Sequence, residues 1–262
     1  MRSIFRLFLQ FAFAGVSGAM TLAPSAAYAH GESEARVEIE LESSSRITAG
    51  KSQLSFQLVD TKLNQTLGDA ELSISHEKKL HVFLYDAALK EFSHLHPEFD
   101  GVLWTTEIKL PVNGDYFLWA QGEISSDGSE FSTFVKLEVL GGANAWPTPP
   151  TLTEQQIGSD DISRVTLGTK SLRAGRMAML DMKFDRTDGS TAKLSPYLGA
   201  LAHVVATPND GDTLIHVHPM NGAKPNEGML HVTFPSAGLY RLWVQFLDDG
   251  IVRTIPLAVR VR

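Results

Sequence analysis

Apolar and polar side chains alternate along this chain with a period of two. Val37, Ile39 and Leu41 are interleaved with Glu38, Glu40 and Glu42, and Leu54, Phe56 and Leu58 alternate with smaller or polar residues. That period puts one set of side chains on one face of a strand, so both stretches are predicted to be half-buried strands. Further strands are expected over 80–85, 92–96, 102–110, 115–121 and 131–140. Ala49-Gly50 and Asp100-Gly101 mark turns, and 63–71 is polar and loop-like. No segment of the first half carries an apolar period of 3.6. Roughly seven short strands per hundred residues, with turn signals between them, predict a β-sandwich.

The pattern then repeats. Gly141-Gly142 and Trp146-Pro147-Thr148-Pro149-Pro150 interrupt it, and 142–161 is expected to be a proline-stiffened linker. Beyond it, Ala174-Gly175 matches Ala49-Gly50, and 177–184 matches the second strand. Pro235-Ser236-Ala237-Gly238-Leu239-Tyr240 matches Pro111-Val112-Asn113-Gly114-Asp115-Tyr116. Trp119 and Trp243 follow the two tyrosines at the same offset, and Gln121 and Gln245 follow the tryptophans. The chain is therefore read as all-β: two tandem sandwiches from an internal duplication, at 30–141 and 162–262. The tyrosines and tryptophans are assigned structural roles; the glutamines are left open.

The duplication carries histidines with it. His94-Leu95-His96-Pro97 recurs as His216-Val217-His218-Pro219, and each copy has a further histidine, His81 or His203, 13 residues before its first histidine. Residues i and i+2 of a strand share a face, so each H-x-H pair projects together. A hairpin turning near Ala87 to Leu89, or at 208–212, brings the third imidazole alongside. Three imidazoles suit Cu(II) or Zn(II), with water or another group completing the shell. The prolines end each strand and place the site near a sheet edge. Glu98 is a candidate fourth ligand or supporting partner in the first copy. Met220 stands in its place in the second, and a thioether favours Cu(I). Against this stands a role for the histidines as structural hydrogen-bonders. His76 and His231 have no counterparts and are expected to lie at the surface or fill the core. Met177, Met179 and Met182 share one strand and are expected to pack. Asp86, Asp100, Asp210 and Asp212 are expected to be turn residues.

Composition narrows the setting. Arg2 and Arg6, an apolar run from Leu7 to Leu22, and Ala27-Tyr28-Ala29 predict an export signal over residues 1–29, cleaved to leave a periplasmic or secreted protein with no membrane insertion. Removing 29 of the 262 residues leaves 233, and losing the two arginines takes the formal charge from -7 to -9. An acidic surface disfavours nucleic acid as a partner. With no cysteine, disulfides, thiolate metal sites and cysteine nucleophiles are excluded. Cleavage after Ala29 makes His30 the mature N-terminus. Its amino group and ring then resemble the histidine brace of periplasmic copper proteins and lytic polysaccharide monooxygenases.

Leu80-His81-Val82-Phe83 through His94-Leu95-His96-Pro97-Glu98, and Pro196-Tyr197-Leu198-Gly199-Ala200 through His216-Val217-His218-Pro219, with the later P-x-x-G-x-Y element, resemble uncharacterised exported bacterial proteins with repeated HxHP motifs. These look related to YtkA-like or cupredoxin-like, immunoglobulin-like sandwiches associated with heavy-metal handling. The resemblance implies a protein that buffers copper or zinc, or passes it to an export or resistance component. The blue-copper cysteine is missing, so electron transfer of that type is not expected. The alternative is a structural or adaptor module binding another envelope protein. An enzyme of bicupin type lacks the later ligands it needs, and the sequence carries no G-x-S-x-G, H-E-x-x-H or phosphate loop.

Overall fold

The computed structural model describes residues 36–168 and 171–262. The expected signal segment and His30 lie outside the described residues. The first half contains β1 (Val37–Leu41), β2 (Arg46–Thr48), β3 (Gly50–Asp60), β4 (Gln65–Thr66), β5 (Leu80–Asp86), β6 (Phe92–Leu95), β7 (Glu98–Phe99), β8 (Trp104–Leu110), β9 (Gly114–Ile124) and β10 (Ser129–Leu140). The second contains β11 (Ile157–Ser159), β12 (Ser163–Gly168), β13 (Met177–Arg186), β14 (Leu194–Ser195), β15 (His203–Pro208), β16 (Ile215–Val217), β17 (Met220–Asn221), β18 (Glu227–Thr233), β19 (Gly238–Asp248) and β20 (Ile251–Val261). No helix occurs among the described residues. β11 begins inside the stretch expected to be linker.

Each half is a two-sheet sandwich. In the first, an outer sheet of order β1-β3-β8-β7, with β4 on β3, packs on an inner sheet of order β2-β10-β9-β5-β6. In the second, the outer sheet is β11-β12-β13-β18-β17. The inner sheet is β14-β19-β15-β16, with β20 also on β19. Alternation sets the cores. Leu54, Phe56 and Leu58 of β3 meet Leu80, Val82 and Leu84 of β5, while Leu180, Met182 and Phe184 of β13 meet Val204, Leu242 and Val244. The hydroxyl of Tyr116 donates to Val112 O at 3.2 Å, and that of Tyr240 donates to Ser236 O at 3.1 Å. Each tyrosine thus braces the corner before its own strand, as its position in the repeat predicts.

The inner sheets are buried on both faces. Every residue of β5 and of β15 is buried. Two side chains of β5 that do not enter its own core, Phe83 and Tyr85, join Phe117, Trp119, Val205, Leu214 and Trp243 in a third apolar cluster between the halves. Trp243 stacks on Phe92 with ring centroids 4.6 Å apart. The Tyr85 hydroxyl donates across the junction to Gly211 O at 2.8 Å. Four sheets are therefore layered, with the two inner ones face to face. Trp119 and Trp243 are structural as expected, but they serve this junction and not the core of their own half. Of the three methionines on β13, only Met182 packs. Met177 and Met179 have the opposite parity and are 71% and 60% exposed.

Candidate metal centre

Strand pairing assembles each histidine group. In the first half β5 pairs with β6 so that Phe83 faces His94, and β5 pairs with β9 so that His81 faces Gln121. In the second, Val205 faces His216, and His203 faces Gln245. His81 and His94 therefore project from the same side of the inner sheet as Phe83, toward the other half. His96, two residues past His94, joins them. The ligand-capable nitrogens of His81, His94 and His96 all lie within 4.8 Å of one another, and so do those of His203, His216 and His218. Glu98 and Met220 belong to neither group. Glu98 is exposed on β7 of the outer sheet, where it lines an open groove together with His96, Lys51 and Thr105. Met220 is half exposed on β17.

The carbonyl and amide oxygens that the rings face assign their protons. His81 Nε2–H donates to Ser75 O at 3.0 Å, and His94 Nδ1–H donates to Gln245 Oε1 at 2.9 Å. The Gln245 Nε2–H in turn donates to Thr254 Oγ1 at 3.1 Å. With those protons placed, His81 Nδ1 and His94 Nε2 face each other at 3.1 Å, both bare. His96 Nε2 is 3.2 Å from His94 Nε2. A proton on His96 relieves one contact and leaves the other.

The second group repeats the first two histidines' contacts, and its third histidine turns to a different ring. His203 Nε2–H donates to Tyr197 O at 2.9 Å, and His216 Nδ1–H donates to Gln121 Oε1 at 3.2 Å. Gln121 is oriented by its own bond to Ser132 Oγ at 2.9 Å. His203 Nδ1 then faces His216 Nε2 at 3.2 Å, with His218 Nε2 2.8 Å from His203 Nδ1.

Protonating a ring would remove the lone-pair clash, but the surroundings oppose it. Burial, then the charges of the neighbouring histidines, hold His94 and His216 well below the usual imidazole range. Burial first also brings His96 to about 3, His203 to about 4 and His218 to about 2, and it lowers His81. Among the described residues no carboxylate belongs to either group. Each group is thus three neutral imidazoles with lone pairs converging on one point, the donor set and protonation state that a copper or zinc ion requires. The second nitrogens of His81, His94, His203 and His216 are tied to a carbonyl or amide oxygen, the support that orients metal-binding imidazoles.

Two features escaped the sequence. Gln121 and Gln245 reach across the junction, each supporting a histidine of the other half. Their repetition two residues after a repeated tryptophan was the available signal. His76, expected at the surface or in a core, lies on the tip of the Ser75–Lys78 turn, with its ring tilted against that of His218 of the other half at a centroid distance of 3.7 Å. It and Glu77 both have positive φ, +50° and +65°, where the matching turn has Leu198 and Gly199.

Residues 156–262 match a family model described as a domain of unknown function (DUF8832). No curated protein matches the chain. Among solved structures, it is similar to a chimeric titin Z1Z2-Z1Z2 tandem carrying an exogenous fibronectin peptide (13% identity, 87% of this chain and 96% of that one, TM-score 0.23). It is also similar to fibronectin(III)-like modules of CbhA from Clostridium thermocellum (15%, 85% and 92%, TM-score 0.23). A third is invasin, a bacterial integrin-binding protein (12%, 86% and 39%, TM-score 0.26). These are likenesses of immunoglobulin-like and fibronectin-III-like sandwiches and extend no further than that architecture.

Proposed function

We propose that this chain is an exported metal-binding protein that takes copper or zinc at its two histidine groups and buffers the ion or hands it to an export or resistance component. The observation that carries this reading is the pair of bare nitrogens, His81 Nδ1 and His94 Nε2, 3.1 Å apart with no proton left to place between them. The same conflict recurs between His203 and His216. Buried polar atoms facing each other without a donor cost roughly 1–3 kcal/mol, and a bound cation turns that cost into coordination. Support also comes from access: His96 borders an open groove, so an ion has a way in and out, as a buffering or delivery site needs. The export-like leader and the absence of thiols fit a site built from imidazole alone.

The test is metal content. Protein purified from the exported fraction is expected to carry copper or zinc by mass spectrometry, and the apoprotein is expected to take up either at micromolar concentration. The doubly substituted His94→Ala/His96→Ala and His216→Ala/His218→Ala forms are expected each to lose their half's share. Uptake unchanged by both pairs of substitutions would leave the histidines as structural hydrogen-bonders and favour an adaptor module.

A further inference from the structure

The two histidine groups meet across the junction. Ring centroids of His81 and His216 lie 5.7 Å apart, His94 and His203 5.5 Å, His94 and His216 5.8 Å, and His81 and His203 6.4 Å. These separations across the junction are close to those within a group, where His81 and His94 are 5.4 Å apart. Phe83 lies against both groups, with its ring 4.5 Å from that of His94 and 4.7 Å from that of His216. We infer that the two groups form one paired centre that takes two cuprous ions, each bound by three imidazoles of one half and supported by a glutamine of the other. This rests on the metal-binding reading and specifies its stoichiometry, oxidation state and dependence on the junction.

Charge selects the ion. All six donors are imidazoles, neutral when they bind a metal, and among the described residues no carboxylate belongs to either group, so nothing in the donor set offsets the charge of what binds. At equal separation two dications repel each other about four times as strongly as two monovalent ions. The phenyl ring of Phe83 and the junction cluster behind it keep that repulsion from being screened by water. Imidazole is a good donor to copper, and three donors satisfy a low-coordinate monovalent ion without a further anionic ligand. Two cuprous ions therefore fit together, whereas the first zinc ion opposes the second.

The support crosses the junction. Gln245 of the second half accepts from His94 of the first, and Gln121 of the first accepts from His216 of the second. Each glutamine lies directly opposite a histidine of its own half in the strand register, Gln121 beside His81 and Gln245 beside His203, yet bonds to the other half's ring. An ion in one group is thus tied to the fold of both halves.

The experiment titrates the whole exported chain with Cu(I), without oxygen, against a coloured cuprous chelator, and separately with Zn(II). Two Cu(I) per chain are expected. For Zn(II), one ion is expected at high affinity and a second at least about 100-fold weaker. A single Cu(I), or two Zn(II) of equal affinity, would overturn the pairing. Uptake of neither ion would instead overturn the metal-binding reading itself.

A second arm uses the His216→Ala/His218→Ala protein, which keeps only the first group. There Gln245→Leu is expected to weaken Cu(I) binding about 10- to 100-fold, Gln245→Glu to retain it because an acceptor oxygen remains, and Gln121→Leu to leave it unchanged. An effect from Gln121→Leu alone, or from neither leucine substitution, would sink the crossed support.

Discussion

Replacing His81 with leucine separates a metal site from a structural histidine network, because the two make opposite forecasts for the apoprotein. In the fold His81 is buried, and its Nδ1 faces the bare Nε2 of His94 at 3.1 Å. Its one satisfied bond runs to Ser75 O, which also accepts from the Lys78 N–H at 3.1 Å and so keeps a partner once the ring is gone. Leucine removes the opposed lone pair and fills the space with apolar volume. With metal stripped by chelator, His81→Leu is therefore expected to match the parent within about 1 kcal/mol or to exceed it. A structural hydrogen-bonder lost from the same position would cost about 1–3 kcal/mol. With metal the order reverses. An ion held at a hundred times its dissociation constant stabilises the fold by about 2.7 kcal/mol. For a chain of this size that is about 5–10 °C in melting temperature. The variant is expected to lose the share due to the first group. Differential scanning calorimetry in chelator and, without oxygen, in excess Cu(I) reads both quantities. A variant melting far below the parent in chelator, while keeping the full metal-induced shift, would refute the lone-pair argument.

Three further outcomes follow from the same contacts. His203 is held at about 4 by burial, so in the unfolded chain it takes up its proton near the ordinary value of about 6.5 and in the fold it does not. The stabilisation from a neutral His203 is complete above pH 6.5 and is lost as pH falls toward 4, about 3 kcal/mol from this ring alone. Urea midpoints of the apoprotein measured between pH 7.5 and 4.5 are expected to drop, and a flat profile would count against it. Trp243→Ala empties the centre of the junction cluster, where the indole is 2% exposed and stacked on Phe92. It is expected to cost about 3–5 kcal/mol in urea unfolding, and a loss under 1 kcal/mol would show that the halves do not depend on it. Glu77→Gly restores at φ +65° the residue type that Gly199 supplies in the matching turn. It is expected to stabilise by about 1 kcal/mol, and an unchanged or lowered melting temperature would refute strain at that turn.

Much of the architecture was legible because it is local. Period-two alternation located β1 and β3, and the repeated P-x-x-G-x-Y element located both braced corners. The methionines of β13 show the same rule neglected. Met177 and Met179 differ in parity from Leu180, Met182 and Phe184 only by being odd, and that sends them to the outer face while Met182 packs. β5 also carried a signal. Leu80-His81-Val82-Phe83-Leu84-Tyr85 does not alternate, and a strand apolar on both faces has to be covered on both. The run announces a second partner without naming it.

What alternation leaves out is which surface covers the far face of β5, and the site depends on that answer. Spacing within one half brings three imidazoles together, because His81, His94 and His96 lie on neighbouring strands. The atoms that decide their protonation are elsewhere: His94 and Gln245 are 151 residues apart, and His216 and Gln121 are 95. No periodicity spans such distances. The force that closes them is apolar. Phe83, Tyr85, Trp119 and Trp243 expose large rings on the inner sheets, and burying such side chains is worth about 1.5–3 kcal/mol each. Two copies of one sandwich, each with this face uncovered, cover each other, and the histidines are carried on the same strands and the same parity as those rings. The aromatic residues therefore set the cluster as surely as its histidines do. They hold two sets of lone pairs face to face at a cost the histidines by themselves would not sustain.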